Sequence, residues 1–224
     1  MKPRSKGRGF SYLWGMELQI DQQARGVRIV TGKEAQIRRW QLDRLSYIAN
    51  QHGFEEIVLP TIEPASLYVD KAGPEILGQM YVFPDRKGRE LCLRPEGTAT
   101  VQAIARKHWK NEEKRLWYFE RCYRYERPQA GRYREFFQFG VEWINPKHED
   151  PRGVLIEMAR QMLNGSDAIL SEGVKRGLSY YTGDGFEFVC DKLGAQKQVC
   201  GGGPYEGGIG FAIGFDRLVM AIYG

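Results

Sequence analysis

The stretch YFERCYRYERPQAGRYREFFQFGVEWI, residues 118–144, decides the reading of this chain. It predicts two strands joined by a basic loop. The first, Leu116 to Tyr125, is aromatic-rich and alternates as β-structure prefers. The loop, Glu126 to Arg134, carries Pro128 and Gly131 as turn formers. The second strand, Glu135 to Ile144, alternates again. Phe137, Phe139 and Val141 share one face, and Phe136, Gln138, Gly140 and Glu142 share the other. A glycine inside a strand marks a close approach of backbone or ligand, so Gly140 draws attention to the side that Gln138 and Glu142 occupy. Arg124, Arg127, Arg132 and Arg134 crowd the loop end. By itself such a hairpin also fits a half-buried sheet with a solvated loop.

The 224 residues are 42% hydrophobic and 27% charged, which fits one soluble domain with a full core. The formal net charge of +5 is compatible with nucleotides or nucleic acid and proves neither. No apolar run reaches the roughly 18 residues of a membrane span. The basic start, MKPRSKGRGF, is not followed by the apolar region of a signal peptide. Cys92, Cys122, Cys190 and Cys200 show no CxxC spacing, and His52, His108 and His148 are scattered. A side-chain metal cluster is not expected, and a reduced cytoplasmic protein is the plain reading.

Outward from the hairpin, residues 1–24 read as a basic extension, either a solvated end or an RNA-touching tail, and 25–224 as one domain. Thr31-Gly-Lys-Glu34 has the spacing of a capping box. Ile37, Trp40, Arg44, Leu45 and Ile48 then recur at helical spacing up to Gly53. Glu55 to Pro60 reads as a short strand. Met80–Phe83 and Glu90–Arg94 flank a turn and form a hairpin. Glu96 and Thr98 stand where a strand gives way to a helix running to about Trp109, and either cap that helix or meet a ligand. Asp150-Pro151 starts another helix. Val174–Tyr181 and Thr182–Phe188 read as a hairpin turning at Gly183-Asp-Gly185, and Gly201-Gly-Gly203 as a loop that a ligand can approach. Gly208–Gly214 is a buried strand, followed by a helix from Phe215. Arg217 falls in that helix's first turn, where the dipole disfavours a cation. It therefore calls for an anionic partner, from a ligand or from the fold. The expected class is α+β, an antiparallel β-sheet flanked by helices.

Several stretches agree in order with one family. Gly53–Pro60 resembles motif 1 of the class II aminoacyl-tRNA synthetases, a dimer-forming helix and strand. Phe119–Glu142 resembles motif 2, with the loop pattern E-R-P-x-x-G-R-Y-R-x-F intact at Glu126–Phe136. Gly208–Leu218 resembles motif 3. Arg94-Pro-Glu-Gly-Thr98 and Arg176-Gly-Leu-Ser-Tyr-Tyr-Thr-Gly183 resemble elements of the histidyl-tRNA synthetases in particular. The likeness covers about residues 25–224.

The resemblance implies the catalytic core of a class II synthetase that uses ATP with Mg²⁺ to activate histidine, works as a homodimer and meets the acceptor end of tRNA. It implies that Arg127 contacts the α-phosphate, Arg217 the γ-phosphate side, and Arg176 the α-phosphate as the histidine-specific arginine. Glu126, Arg134 and Phe137 complete the ATP site. Glu96 and Thr98 hold the amino group, Gln138 faces the carboxylate, Glu142 accepts from the imidazole, and Tyr180 and Tyr181 bound the pocket. Arg132 and Arg134 are candidates for gripping a tRNA end. Such chemistry needs no covalent enzyme intermediate, because the attacking carboxylate is already ionised. Arginines offset the repulsion between it and the phosphate.

The chain departs from the pattern at Ser179, where aspartate is usual, at Asp216, where glutamate is usual, and at Pro204, which replaces an arginine. About one helix stands where the family has an insertion domain, and no anticodon-binding domain follows the last motif within these residues. Amino-acid activation is thereby supported better than tRNA charging. A histidine-sensing regulatory paralogue, an enzyme with another acceptor, and a trimmed fragment of a larger synthetase are the alternatives.

Overall fold

The computed structural model describes residues 23–69, 74–174, 180–195 and 197–224. Its elements run α1 (Gly32–Gln51), β1 (Glu55–Glu56), β2 (Ile62–Pro64), α2 (Ser66–Val69), α3 (Pro74–Leu77), β3 (Val82–Pro84), β4 (Glu90–Leu93), α4 (Thr98–His108), β5 (Lys114–Tyr123), β6 (Glu135–Ile144), α5 (Pro151–Met162), β7 (Ile169–Val174), β8 (Gly185–Val189), β9 (Gln198–Tyr205), β10 (Gly208–Gly214) and α6 (Phe215–Tyr223). One seven-stranded sheet has the order β1-β5-β6-β10-β9-β8-β7, and β2-β4-β3 form a small second one. Among the described residues β1 pairs with β5 in parallel and the other strand pairs are antiparallel. The α+β expectation holds.

The alternation in the 118–144 stretch sorts the layers. Phe139, Val141 and Trp143 face α1, α5 and α6, where they pack with Leu45, Leu155, Met158, Phe215 and Leu218. The opposite face of β5 and β6 carries Leu116, Tyr118 and Ile144, covered by Val101 and Ala105 of α4. Between α4 and the loop after β5 that second face is left uncovered. Its floor is small-residued: Gly140 pairs with Ala212, Gln138 with Gly214 and Glu142 with Gly210. Tyr118 lies opposite Gly140. A Cβ at Gly140 would come within 2.0 Å of the Tyr118 ring, and one at Gly97 within 2.5 Å. The ring is wedged between two glycines.

Several local expectations are corrected. Thr31 precedes α1 but makes no side-chain cap bond. Glu34 pairs with Arg28 at 3.2 Å instead, since a charge-assisted partner outcompetes a backbone amide. Trp40 is 56% exposed, and the buried stripe of α1 is Gln41, Leu45 and Ala49. The strand expected to reach Pro60 ends at Glu56, because Leu59 N–H donates to Glu120 Oε1 at 2.7 Å rather than to a ladder carbonyl. The 201–203 glycines lie inside β9, not in a loop. They let strands close up: a Cβ at Gly202 would sit 2.4 Å from Gly210 O. The hairpin placed at 174–188 pairs β7, Ile169–Val174, with β8 across a longer connection, because Tyr181 bridges to Tyr205 instead.

Replacing Gly140 by Ala should displace the Tyr118 ring and cost about 1–3 kcal/mol, as overpacking does. Urea denaturation checks this; a midpoint equal to that of the unsubstituted protein would show that the ring is not wedged.

Candidate active site

The uncovered face forms a cavity of about 400 Å³. Glu96, Thr98, Tyr180 and Tyr181 line it near the start of α4, Gln138 and Ala212 line it from β6 and β10, Glu126, Arg132, Tyr133, Phe137 and Arg217 line it near the loop and α6, and Arg124 stands close to both Glu96 and Arg217.

The first end is acidic and nearly dry. Glu96 is 3% exposed. Its carboxylate accepts from the backbone N–H groups of Thr98 at 2.7 Å and Ala99 at 2.9 Å, and from the Tyr180 hydroxyl at 3.3 Å. It therefore both caps α4 and faces the cavity, so the two sequence readings are compatible. Glu142 is fully buried. Oε1 accepts from Thr98 Oγ1 at 2.6 Å and Oε2 from the Tyr205 hydroxyl at 2.7 Å. Burial pushes its pKa up to about 8; those two hydrogen bonds oppose the rise, and the charge of Glu96 adds to it. Burial likewise raises Glu96, against the pull of its backbone bonds and Arg124. Glu142 lies behind Thr98 rather than on the cavity wall.

The other end is cationic. Arg217 Nε donates to Gly131 O at 2.8 Å and Nη1 to Gln198 O at 2.9 Å. These bonds tie α6 to the loop and to β9. Burial, then the charges of Arg124 and Arg132, lower its pKa to about 10. That crowding of like charge marks a place that favours an anion. Arg132 pairs closely with Glu126. Arg124 donates to Pro95 O at 2.9 Å and lies over the Phe136 ring at 5.2 Å. Phe137 stacks on Phe119 with ring centroids 4.8 Å apart. Gln138 Oε1 accepts from Cys122 Sγ at 3.3 Å, with its side chain on the floor.

The structure thus brings together Glu96, Thr98, Glu126, Phe137, Gln138, Tyr180, Tyr181 and Arg217. It does not bring in Arg127, which is exposed on the loop and outside the cavity wall. Arg134 turns away, donating to Glu126 O at 3.1 Å with its guanidinium 3.9 Å from the Tyr125 ring centroid. Arg176 and Ser179 lie outside the described residues, as do residues 1–22. Arg124, at the end of the first strand of the hairpin, lines the cavity. The period of two that places Tyr118, Glu120 and Cys122 on the cavity side of β5 continues to Arg124, so alternation would have found it. Tyr205 and Asp216 were also missed as site residues. Asp216 accepts from Arg28 at 3.1 Å, Arg38 at 2.8 Å and the Phe137 N–H at 2.9 Å.

Among the described residues no group of three or more His, Cys, Asp or Glu could hold a metal. A cation arriving with a polyphosphate is compatible with the arginine-lined end, where the anion itself supplies ligands. No helix of the described residues is long and apolar enough to cross a membrane.

The histidyl-tRNA synthetase family model matches residues 26–170. The histidine–tRNA ligase of Archaeoglobus fulgidus is 32% identical, over 88% of this chain and 75% of that protein. Their alignment spans 306 positions, more than the 224 residues here, so the relative carries residues inside the matched span with no counterpart in this chain. The fold resembles that of an ATP phosphoribosyltransferase regulatory subunit/histidyl-tRNA synthetase from Bacillus halodurans, at TM-score 0.76 and 17% identity, covering 94% of this chain and 85% of the other. It also resembles apo histidyl-tRNA synthetase from S. aureus, at TM-score 0.72 and 24% identity, covering 90% and 70%. With the family model spanning well over half of the chain and a relative 32% identical over 75% of its length, this chain belongs to the histidyl-tRNA synthetase family of ligases.

Proposed function

We propose that the cavity joins histidine to AMP, and that the resulting histidyl-adenylate passes its histidine to the acceptor end of tRNA. The carrying observation is the separation of charge along the cavity. Glu96 is on the wall with Glu142 behind Thr98, Arg132 and Arg217 gather beside the loop and α6, and Arg124 stands between the two groups, bonded to Pro95 O. A zwitterionic amino acid with a basic ring fits the first end, and a triphosphate fits the second. The histidine carboxylate oxygen attacks the α-phosphorus, the bond from that phosphorus to the bridging oxygen breaks, and pyrophosphate leaves with the electron pair. No proton has to move.

In this reading Glu96 and the Tyr180 hydroxyl receive the amino group. Thr98 yields so that Glu142, still held by Tyr205, accepts from the imidazole N–H. An amino acid without a ring donor would leave that buried carboxylate unpaired, at a cost of about 1–3 kcal/mol. Gln138 lies between the two ends, where the carboxylate would sit. Arg217, tied to Gly131 O and Gln198 O, lines the cavity where the terminal phosphates would lie. Arg124 takes the α-phosphate in place of Arg127. Arg176 keeps the role the motif gives it. Mg²⁺ bound to the phosphates would offset part of their charge. Preorganised cations act on charge that develops in the transition state, in a site shielded from water. A histidine sensor without catalysis needs no cationic end, so these arginines favour the catalytic reading. Homodimerisation through the Gly53–Pro60 region and tRNA contact through Arg132 and Arg134 belong to the same proposal.

Histidine-dependent exchange of pyrophosphate into ATP tests it. Exchange with histidine alone among the amino acids is expected; none with any amino acid at high enzyme concentration defeats the proposal. In the same assay Arg217→Ala and Arg124→Ala should each lower kcat by about 10²–10³-fold. Arg127→Ala should change it by less than about twofold, and a loss as large as that of Arg124→Ala would return the α-phosphate role to Arg127.

Glu142 makes a pH prediction. Its folded pKa of about 8 lies above the ordinary carboxylate value. The unfolded chain therefore loses this proton first as pH rises, and folding stability from this group, complete in acid, is lost as pH passes up through about 8. Glu142→Gln should flatten the fall in Tm between the ordinary carboxylate range and about pH 8, and should raise KM for histidine about 100-fold with little change for ATP. An unchanged KM for histidine would remove Glu142 from the imidazole site.

A further inference from the structure

Residues 23–30, just before α1, lie against the rim of the cavity. Gly26 O accepts from the Arg134 backbone N–H at 2.7 Å. Gly26 has φ of +84°, and a Cβ there would sit 2.9 Å from both Arg134 Cγ and Pro128 Cγ. The backbone thus presses on both ends of the 128–134 loop, and glycine permits both the approach and the dihedral. Two residues on, Arg28 spreads over three partners. Its Nη2 reaches Asp216 Oδ1 at 3.1 Å, its Nη1 reaches Glu34 Oε1 at 3.2 Å, and its guanidinium carbon lies 4.4 Å from the Tyr133 ring centroid. Tyr133 and Asp216 both line the cavity. Asp216 also holds the Phe137 N–H, where β6 leaves the loop.

We propose that Arg28 is a positioning residue for the arginine-lined end of the cavity, clamping the Tyr133 side of the loop to the first turn of α6. A planar guanidinium can stack on a ring and pair with a carboxylate at once, which an ammonium cannot do. Asp216 is already paired with Arg38 at 2.8 Å, so Arg28 is not required to neutralise it. What Arg28 adds is the link to Tyr133. The loop carries Gly131, whose carbonyl receives Arg217 Nε, so a shift of the loop moves Arg217 as well.

This inference rests on the reading of that end as the phosphate side. The test uses the full chain in histidine-dependent pyrophosphate exchange, together with limited trypsin cleavage after Arg132 and Arg134. Arg28→Met should raise KM for ATP at least about tenfold while KM for histidine moves less than twofold, since misplacing binding groups by about 1 Å costs up to about 10²-fold. It should also speed cleavage within the loop, with Tm little changed. Arg28→Lys should recover only part of the KM. Equal changes for both substrates, a defect that tracks a fall in Tm, or unchanged cleavage would each overturn the clamp. An unsubstituted protein inert in exchange would defeat the reading of the site while the cleavage rates still decided the role of Arg28.

Discussion

Burying the Glu142 carboxylate is the constraint on which the rest of this site depends. An isolated charge in a dry interior is costly unless its lone pairs are satisfied. Here each oxygen has one neutral donor, Thr98 from the start of α4 and Tyr205 from the end of β9. Nothing larger than glycine can stand at position 210, because a Cβ there would fall 2.0 Å from Glu142 Oε2. One side chain thereby sets the composition of the neighbouring strand, the placement of α4 and the direction in which β9 ends. The donors are hydroxyls rather than cations, so no counter-charge offsets burial and the pKa stays raised to about 8.

A second buried pair supports the frame around it. Arg94 has no exposure, and it spends its guanidinium on Glu120 at 2.7 Å, Pro60 O at 2.6 Å and Arg121 O at 3.0 Å. It joins the end of β4 to β5 and to the chain between β1 and β2. Glu96, two residues later, is thus delivered to the cavity by an arginine that never reaches it. Arg94 and Glu120 cancel each other inside the frame, whereas Glu142 is held by two hydroxyls behind the cavity wall and Arg217 is tied to two carbonyls on it.

Much of this was legible in the residue order, and the reasons are physical. The period of two in Glu135–Ile144 placed Gln138, Gly140 and Glu142 on one face correctly, because a strand with aromatic side chains on the other face has no freedom to slip. Asp150 caps α5 through the Gly153 N–H at 2.8 Å, as its sequence implied. What failed were features decided by partners distant in sequence. Glu34 left its own helix end for Arg28, and the 201–203 glycines serve strand packing rather than a loop. The connection before β8 does not turn where its glycines suggested. Arg127, given to the α-phosphate by the resemblance, lies on the loop outside the cavity wall, while Arg124 at the strand end lines it.

The arginine end shows why such errors cluster where they do. A loop such as 126–134 has no register to hold it, so its placement comes from contacts: Gly26 O on Arg134 N–H, Gly131 O on Arg217, and Arg132 on Glu126. Each partner is remote in the chain or competes with another choice nearby. Three arginines share this region, and burial first, then the charges of Arg124 and Arg132, lower the Arg217 pKa. The loop stays closed only because carbonyls and ring faces, not carboxylates alone, absorb that repulsion. Full neutralisation by acidic side chains would have steadied the loop and weakened the cavity's hold on an anion. Tethering by carbonyls and rings keeps the loop in place while the positive potential remains available to a phosphate.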